Sequence, residues 1–221
     1  MRIRDIGVIL IVIVLMVIGT SYEVSAEIKY EGNPEEIKEP AYIDDVMIVN
    51  KQNPLPSTYE PDVVEYSGEK GEKKAVDAIK KMITEAEKEG IKLQVYSGYR
   101  SYEYQKDLYN KYVEKDGKKA ADRYSARPGF SEHQTGLTFD VGEKGVSDPL
   151  TEDLGQQEEG IWIKDNAYKY GFVVRYPHGK EDITGYQYEP WHLRYVGKNL
   201  AKEIHGSEHD TVEEFFDIVG D

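Results

Sequence analysis

No cysteine occurs anywhere in the 221 residues, and this absence narrows the folds open to the chain more than any other feature. Without thiols there is no disulfide scaffold, no zinc ribbon, no iron–sulfur site and no cysteine nucleophile. The fold must therefore be held by a hydrophobic core, and any metal must be gripped by His, Asp or Glu. The length suits one domain with appendages and is ample for a single core. Charge narrows function further. With 42 acidic against 28 basic side chains the formal charge is −14. That argues against nucleic acid, whose phosphates must be neutralised by Lys and Arg, and disfavours tight docking on anionic membranes or polyanionic wall polymers.

The first 26 residues are set aside before fold reasoning. Arg2 and Arg4 precede an apolar run from Ile6 to Ile18, followed by the small-residue site Val24-Ser25-Ala26. As a helix the run spans roughly 20 Å, short of the ~30 Å hydrocarbon core. The pattern predicts an export signal cleaved before Glu27, with an uncleaved N-terminal anchor as the alternative. Either way the remainder works outside the cytoplasmic membrane, secreted or tethered at the envelope. Residues 27–46 are acidic, carry Pro34 and Pro40, and read as a linker or loosely held arm. The domain is expected over 47–221. Its first stretch, Met47 to Val64 with Pro54, Pro56 and Pro61, reads as an extended segment wrapped over the surface.

The periodicity then changes. Val76, Ile79, Met82, Ile83 and Ala86 recur at helical spacing up to Gly90, and Ile91, Leu93 and Val95 alternate with polar residues as in a half-buried strand. A helix from Ser101 should carry Tyr104, Leu108 and Tyr112 on one face, with a short helix over Lys119 to Tyr124. Strands are expected around Phe139 and Val141, from Phe172 to Tyr176 and from Tyr186 to Trp191. Further helices are expected near Ile161 to Tyr170, stopped by Gly171, and over Leu200 to Ile204. Helices mixed with non-sequential strands favour an α+β fold, with a central antiparallel sheet and flanking helices.

Two of the five histidines stand beside carboxylates in unusual settings. His133 precedes Asp140 among Gly129, Gly136 and Gly142. His192 follows Glu189, and because positions three apart on a strand face opposite ways, the two share a site only if the chain bends. Pro190 supplies a plausible bend. Together these residues make a sensible zinc site: His133, Asp140 and His192 as ligands, a fourth position left open, and Glu189 unligated. Zinc with an open position lowers the pKa of water to about 7 and polarises carbonyls. A nearby free carboxylate can carry the proton to a leaving amine.

The blocks SGYRSYEYQ (97–105), PGFSEHQTGLTFDVG (128–142) and YGFVVRYPHGKEDITGYQYEPWHLRYVG (170–197) closely resemble the VanY-type D-alanyl-D-alanine carboxypeptidase family. That family lies within the zinc peptidases that include LdcB-like L,D-carboxypeptidases. The resemblance runs over roughly 47–216. It implies zinc-dependent removal of the C-terminal D-alanine from peptidoglycan stem peptides or precursors, on a small fold shared with hedgehog-type domains. Carried over by position, it implies zinc ligands at His133, Asp140 and His192 and the catalytic base at Glu189. It also implies a substrate-binding, transition-state-stabilising arginine at Arg100, and hydrogen-bonding groups for the terminal residue at Gln105 and Ser131. Thr138 departs from the small apolar residue that relatives carry there. Two alternatives stay open: an L,D-carboxypeptidase acting on tetrapeptides, and a catalytically silent zinc fold that only binds wall peptides or a protein partner.

The remaining candidates read blandly. His205 and His209 match HxxEH, but Gly206 weakens the helix that pattern needs, so both are expected exposed in a turn. His178 is expected in a loop near the cleft. Arg175 and Arg194 are expected to brace the site by ion pairing or stacking rather than touch substrate. The 18 tyrosines are expected to fill half-buried surfaces rather than stack on glycans. The acidic stretch Glu208 to Asp221 is expected to be a solvated face, with Phe215 and Phe216 docking a final helix.

Overall fold

A computed structural model describes residues 28–218; the expected signal segment, 1–26, lies outside them. Among the described residues no helix is long and apolar enough to cross a membrane.

A four-stranded antiparallel sheet organises the domain. Two hairpins precede it: β1 (Ala41–Ile43) with β2 (Val46–Ile48), and β3 (Val63–Tyr66) with β4 (Glu69–Glu72). The chain continues through α1 (Lys73–Lys88), β5 (Leu93–Ser97), α2 (Tyr102–Asp116), α3 (Lys118–Tyr124) and β6 (Thr138–Glu143). It ends with α4 (Glu158–Asn166), β7 (Phe172–Tyr176), α5 (Glu181–Thr184), β8 (Glu189–Tyr195), α6 (Lys198–Gly206) and α7 (Val212–Phe215). The sheet order is β5-β6-β8-β7, so the two central strands lie far apart in sequence.

The periodicity explains which face is which. In α1 the residues Val76, Ile79, Met82 and Ala86 are buried against Leu93, Val95, Phe139, Val141 and Leu193 of the sheet, with Trp162 and Ile163 of α4 closing the core. Each fully buried Ile or Met contributes about 1.5–3 kcal/mol. Because strand side chains alternate, sending Phe139, Val141 and Leu193 into this core turns Thr138, Asp140, His192 and Arg194 to the opposite face. The register then pairs Asp140 with His192 and Thr138 with Arg194.

Several expectations need correction. Residues 27–46 are not a loose linker where they are described. Ile43 and Val46, together with Ile48, pack on Ile204, Val212 and Phe215, Tyr30 sits edge-on against Phe130 at 4.8 Å, and the Pro34 ring fills the space a side chain at Gly129 would need. The β1–β2 turn uses two left-handed residues, Asp44 and Asp45, a conformation that suits a tight hairpin. The segment after Met47 is buried rather than superficial: Met47, Val49 and Leu55 form a small cluster, and Gln134 donates to the carbonyls of Pro56 (3.0 Å) and Tyr59 (3.2 Å). Helix α2 buries Gln105 and Tyr109, while Tyr104 is exposed, because α2 packs on α3 and not on the main core. Strand β8 begins at Glu189, three residues later than expected. The C-terminal acidic stretch is not wholly solvated, since Glu213 is buried.

The α2–α3 contact is a polar clamp. Asp122 accepts from Arg127 Nε (2.9 Å), Arg127 Nη2 (2.7 Å) and the Tyr109 hydroxyl (2.6 Å). Burial would raise the Asp122 carboxyl, but these bonds outweigh it and hold it below the usual carboxylate range. A depressed folded pKa adds stability above the unfolded value of about 3.9, and that stability is lost as pH falls through the folded value. Asp122→Asn is accordingly expected to lower the melting temperature at neutral pH by a margin that narrows below about pH 4. A margin unchanged across that range in circular-dichroism melts would count against the clamp.

Candidate active site

Three local devices bring distant residues together. The first is a 3₁₀ turn, Glu132–Thr135, which ends at left-handed Gly136 (φ +70°). The turn lies directly before β6 and buries His133. The second is Gly98, where a Cβ would collide with the Lys70 carbonyl; its own carbonyl oxygen lies 2.7 Å from His133 Nδ1. A carbonyl can only accept, so Nδ1 carries the proton and Nε2 is left with its lone pair. The third is an irregularity in β8. Val174 pairs with Leu193 but Tyr176 pairs with Glu189, so β8 carries extra residues around Pro190, as a bulge does. That irregularity lets Glu189 and His192 face one site, and Glu189 Oε2 lies 3.4 Å from His192 Nδ1.

His133, Asp140 and His192 offer one ligand atom each within 4.8 Å of one another, all three buried. His133 Nε2 is 3.3 Å from Asp140 Oδ2, and His192 Nδ1 is 3.3 Å from Asp140 Oδ1. His133 Nε2 and Asp140 Oδ1 are buried without a hydrogen-bond partner among the described residues. Such orphaned groups are costly unless something completes them, and a divalent cation between two imidazoles and a carboxylate would do so.

The electrostatics agree with this donor set. Burial, helped by the Arg100 guanidinium, pushes His133 down to about 4 against the pull of Asp140, leaving a neutral ring. Burial would raise Asp140, but His133 and His192 outweigh it and hold it far below the usual range. Burial would lower His192, yet the carboxylates of Asp140, Glu132 and Glu189 around it prevail and raise it well above an ordinary imidazole. Without a cation His192 therefore keeps a proton that a metal would displace, the usual coupling of metal uptake to proton release. Burial lifts the Glu189 carboxyl above its ordinary range, with His192 pulling the other way.

Behind these three donors lies a buried ion network whose carboxylates, Glu132 and Glu213, sequence reasoning missed. Glu132 Oε2 faces His192 Nε2 at 3.5 Å, the carboxylate-behind-histidine arrangement that fixes a ligand's tautomer. Arg175 Nε (2.9 Å) and Arg194 Nη1 (2.8 Å) both donate to Glu132 Oε1. Burial alone would raise Glu132, but the two guanidiniums hold it well below the carboxylate range. Arg175 also makes a two-pronged pair with Glu213 at 2.6 and 2.7 Å, and Arg194 Nη2 donates to Met47 O at 2.6 Å. Both arginines thus brace the site, as expected. The signal for Glu132 was present indirectly: an arginine inside the expected strand Phe172–Tyr176 needs a carboxylate partner if it is buried.

A cavity of about 320 Å³ opens over these groups, lined by Arg100, Gln105, Ser131, Tyr186, Glu189 and Trp191 among others. Arg100 Nη2 lies 3.8 Å from Asp140 Oδ2, and its Nε is buried without a partner among the described residues. Gln105 Nε2 donates to Ala126 O at 2.7 Å and to Ser125 Oγ at 3.4 Å, which ties the amide to the wall, and its Oε1 is buried without a partner among the described residues. Thr138 is fully buried two residues before Asp140, with no partner for its hydroxyl among the described residues. The other histidines stand apart: His178 meets Tyr188 edge-on at 5.5 Å, and His205, in the last turn of α6 and not in a turn beyond it, stacks on Tyr168 at 3.8 Å.

Comparison with known proteins agrees with this geometry. A family model described as VanY, D-alanyl-D-alanine carboxypeptidase, matches residues 68–198. The Bacillus subtilis (strain 168) protein YodJ is 46% identical over 204 residues, covering 87% of this chain and 74% of that protein. The solved LdcB LD-carboxypeptidase superposes with a TM-score of 0.72 at 44% identity, covering 82% of this chain and 94% of that one. A mutant of the vancomycin-resistance D,D-pentapeptidase VanY, solved with Zn(II), superposes with a TM-score of 0.68 at 34% identity, covering 76% of this chain and 97% of that one. On sequence, topology and the grouping of side chains in the cleft, the chain belongs to the VanY family of D-alanyl-D-alanine carboxypeptidases.

Proposed function

We propose that this enzyme is a zinc-dependent D,D-carboxypeptidase that removes the C-terminal D-alanine from peptidoglycan stem peptides or their precursors. The observation that carries the reading is the buried His133–Asp140–His192 group with Glu189 beside it in one cavity, in a chain of this family. Zinc, when held by those three residues, supplies Lewis acidity toward a peptide carbonyl and toward water.

The chain's own groups do the rest. Glu189, whose carboxyl burial lifts above its ordinary range, takes a proton from the attacking water on a carboxylate oxygen and returns it to the departing amine of D-alanine. Arg100, whose Nε has no partner among the described residues, offers fixed donors to the oxyanion developing on the scissile carbonyl. The Ser131 hydroxyl and the Gln105 side chain, whose Oε1 has no partner among the described residues, are assigned to the terminal residue. A grip on a free carboxylate is what separates an exopeptidase from an endopeptidase. Glu132, 3.5 Å behind His192 Nε2, is assigned to hold that ring with Nδ1 toward the metal position.

A second reading, L,D-carboxypeptidase action on tetrapeptides, is favoured by one observation: identity to the LdcB structure, 44%, exceeds the 34% to the D,D-pentapeptidase. Digesting pentapeptide and tetrapeptide muropeptides side by side and weighing the products separates the two. The D,D reading expects the pentapeptide to lose one alanine and stop at the tetrapeptide. Conversion of tetrapeptide to tripeptide would replace it with the L,D reading.

The basic, apolar and small-residue order of the first 26 residues supports action outside the cytoplasmic membrane. Cell fractionation is expected to place the protein in the envelope or medium, and recovery from the cytoplasm alone would refute that location.

A further inference from the structure

Tyr30 belongs to the segment read from sequence as a linker, yet two separate pieces of the cleft wall, the Ser125–Arg127 stretch and Tyr186, meet at its side chain. Its hydroxyl donates to the Ser125 carbonyl at 3.4 Å, accepts the Arg127 backbone N–H at 3.4 Å, and meets the Tyr186 hydroxyl at 3.3 Å. All three contacts are satisfied together if Tyr30 gives its hydrogen to Ser125 and Tyr186 gives its own to Tyr30. The ring is fixed independently of the hydroxyl, with Phe130 edge-on at 4.8 Å and the Arg127 guanidinium over one face at 4.0 Å. Burial pushes the Tyr30 hydroxyl up to about 12, so it remains a donor throughout the physiological range.

Two of these contacts, Ser125 and Tyr186, lead into the cleft. Ser125 and Ala126 are the wall to which Gln105 is bonded, and both line the cavity. Tyr186 also lines it, and packs on Tyr176 at 4.9 Å, which in turn packs on His192 at 4.7 Å. An aromatic ladder thus runs from the N-terminal segment to a candidate metal ligand. The Ser125–Arg127 backbone, an irregular stretch between α3 and the His133 turn, is tied to that ladder at Tyr30.

The geometry points to Tyr30 as a positioning residue for substrate binding: it sets the distance between the Ser125–Ala126 wall and Tyr186, and through Gln105 the grip on the peptide terminus. This inference rests on the proposed function for its kinetic readout alone. It identifies the N-terminal segment as part of the active site rather than a spacer between membrane and enzyme.

The test is Tyr30→Phe, which keeps the ring and deletes the hydroxyl, in the zinc-loaded full chain. Pentapeptide KM is expected to rise about 3- to 10-fold, the change that losing roughly one net hydrogen bond produces. The kcat should stay within about twofold and zinc content should be unchanged, since no ligand or proton carrier is touched. Hydrogen exchange of the amides at 125–127 should quicken in the same variant. A purely structural role would lower the melting temperature and leave KM and the 125–127 exchange as in wild type, and that result overturns the inference. Should wild type itself release no D-alanine, the proposed function fails and the exchange measurement decides the inference alone. Tyr30→Ala, if it folds, should raise KM further.

Discussion

Replacing Glu189 by alanine is expected to reduce D-alanine release by about 10²- to 10⁴-fold in kcat, the usual worth of a positioned proton carrier, while the protein keeps stoichiometric zinc. Glu189 is 8% exposed, sits within the cavity, and is not needed to complete the three-donor group. Its nearest titratable contact, His192 Nδ1 at 3.4 Å, explains why it is close to the metal position without belonging to it. Glu189→Gln keeps the volume and should lose nearly as much, because an amide cannot accept and return the proton. His133→Ala, by contrast, should lose metal and turnover together. Single-turnover kinetics with metal analysis of the same samples checks all three. Retention of most activity by either Glu189 variant would remove it from the proton path.

Arg175→Ala is expected to produce the largest loss of stability. Arg175, Glu132 and Glu213 are each about 2% exposed, and the guanidinium is shared by both carboxylates. Removing it leaves buried negative charge facing a cavity, a change that costs about 3–5 kcal/mol where a buried pair is broken from one side. For a domain of this size that corresponds to a fall of about 10 °C in melting temperature. The intact network is a weaker argument for stability than this loss implies, since desolvation offsets much of the attraction. Its positive role is orientation. Glu132→Gln should therefore weaken zinc binding by about 10- to 100-fold in chelator competition. An Arg175→Ala protein melting within about 2 °C of wild type would show that the network is not a structural tie.

What could be read from the chain was what is written in short periods. The α1 pattern Val76, Ile79, Met82, Ala86 specified its buried face, and the alternation at Leu93 and Val95 specified β5. The need for a bend between Glu189 and His192 followed from strand geometry, and the structure supplies it as an irregularity at Pro190. What could not be read was pairing between residues far apart. Glu132 meets Arg194 across 62 positions and Asn50 meets Glu213 across 163; neither separation leaves a local trace. For the same reason residues 28–46 looked unstructured: Ile43, Val46 and Ile48 find their apolar partners in α6 and α7 at the far end of the chain. Helix α2 misled in a different way. Tyr104, Leu108 and Tyr112 do share one face by spacing, but it is Tyr109 that is buried, to reach Asp122, while Tyr104 is left in solvent.

The central claim is that a divalent ion held by His133, Asp140 and His192 makes this cleft a hydrolase for a terminal D-alanine. Free D-alanine released from a pentapeptide, followed while a chelator strips the protein and zinc is then returned, addresses it directly. Release should fall in proportion to bound zinc and recover as one equivalent per chain is restored. Release that persists in protein shown by metal analysis to be empty, or no release from fully loaded protein, would contradict the account.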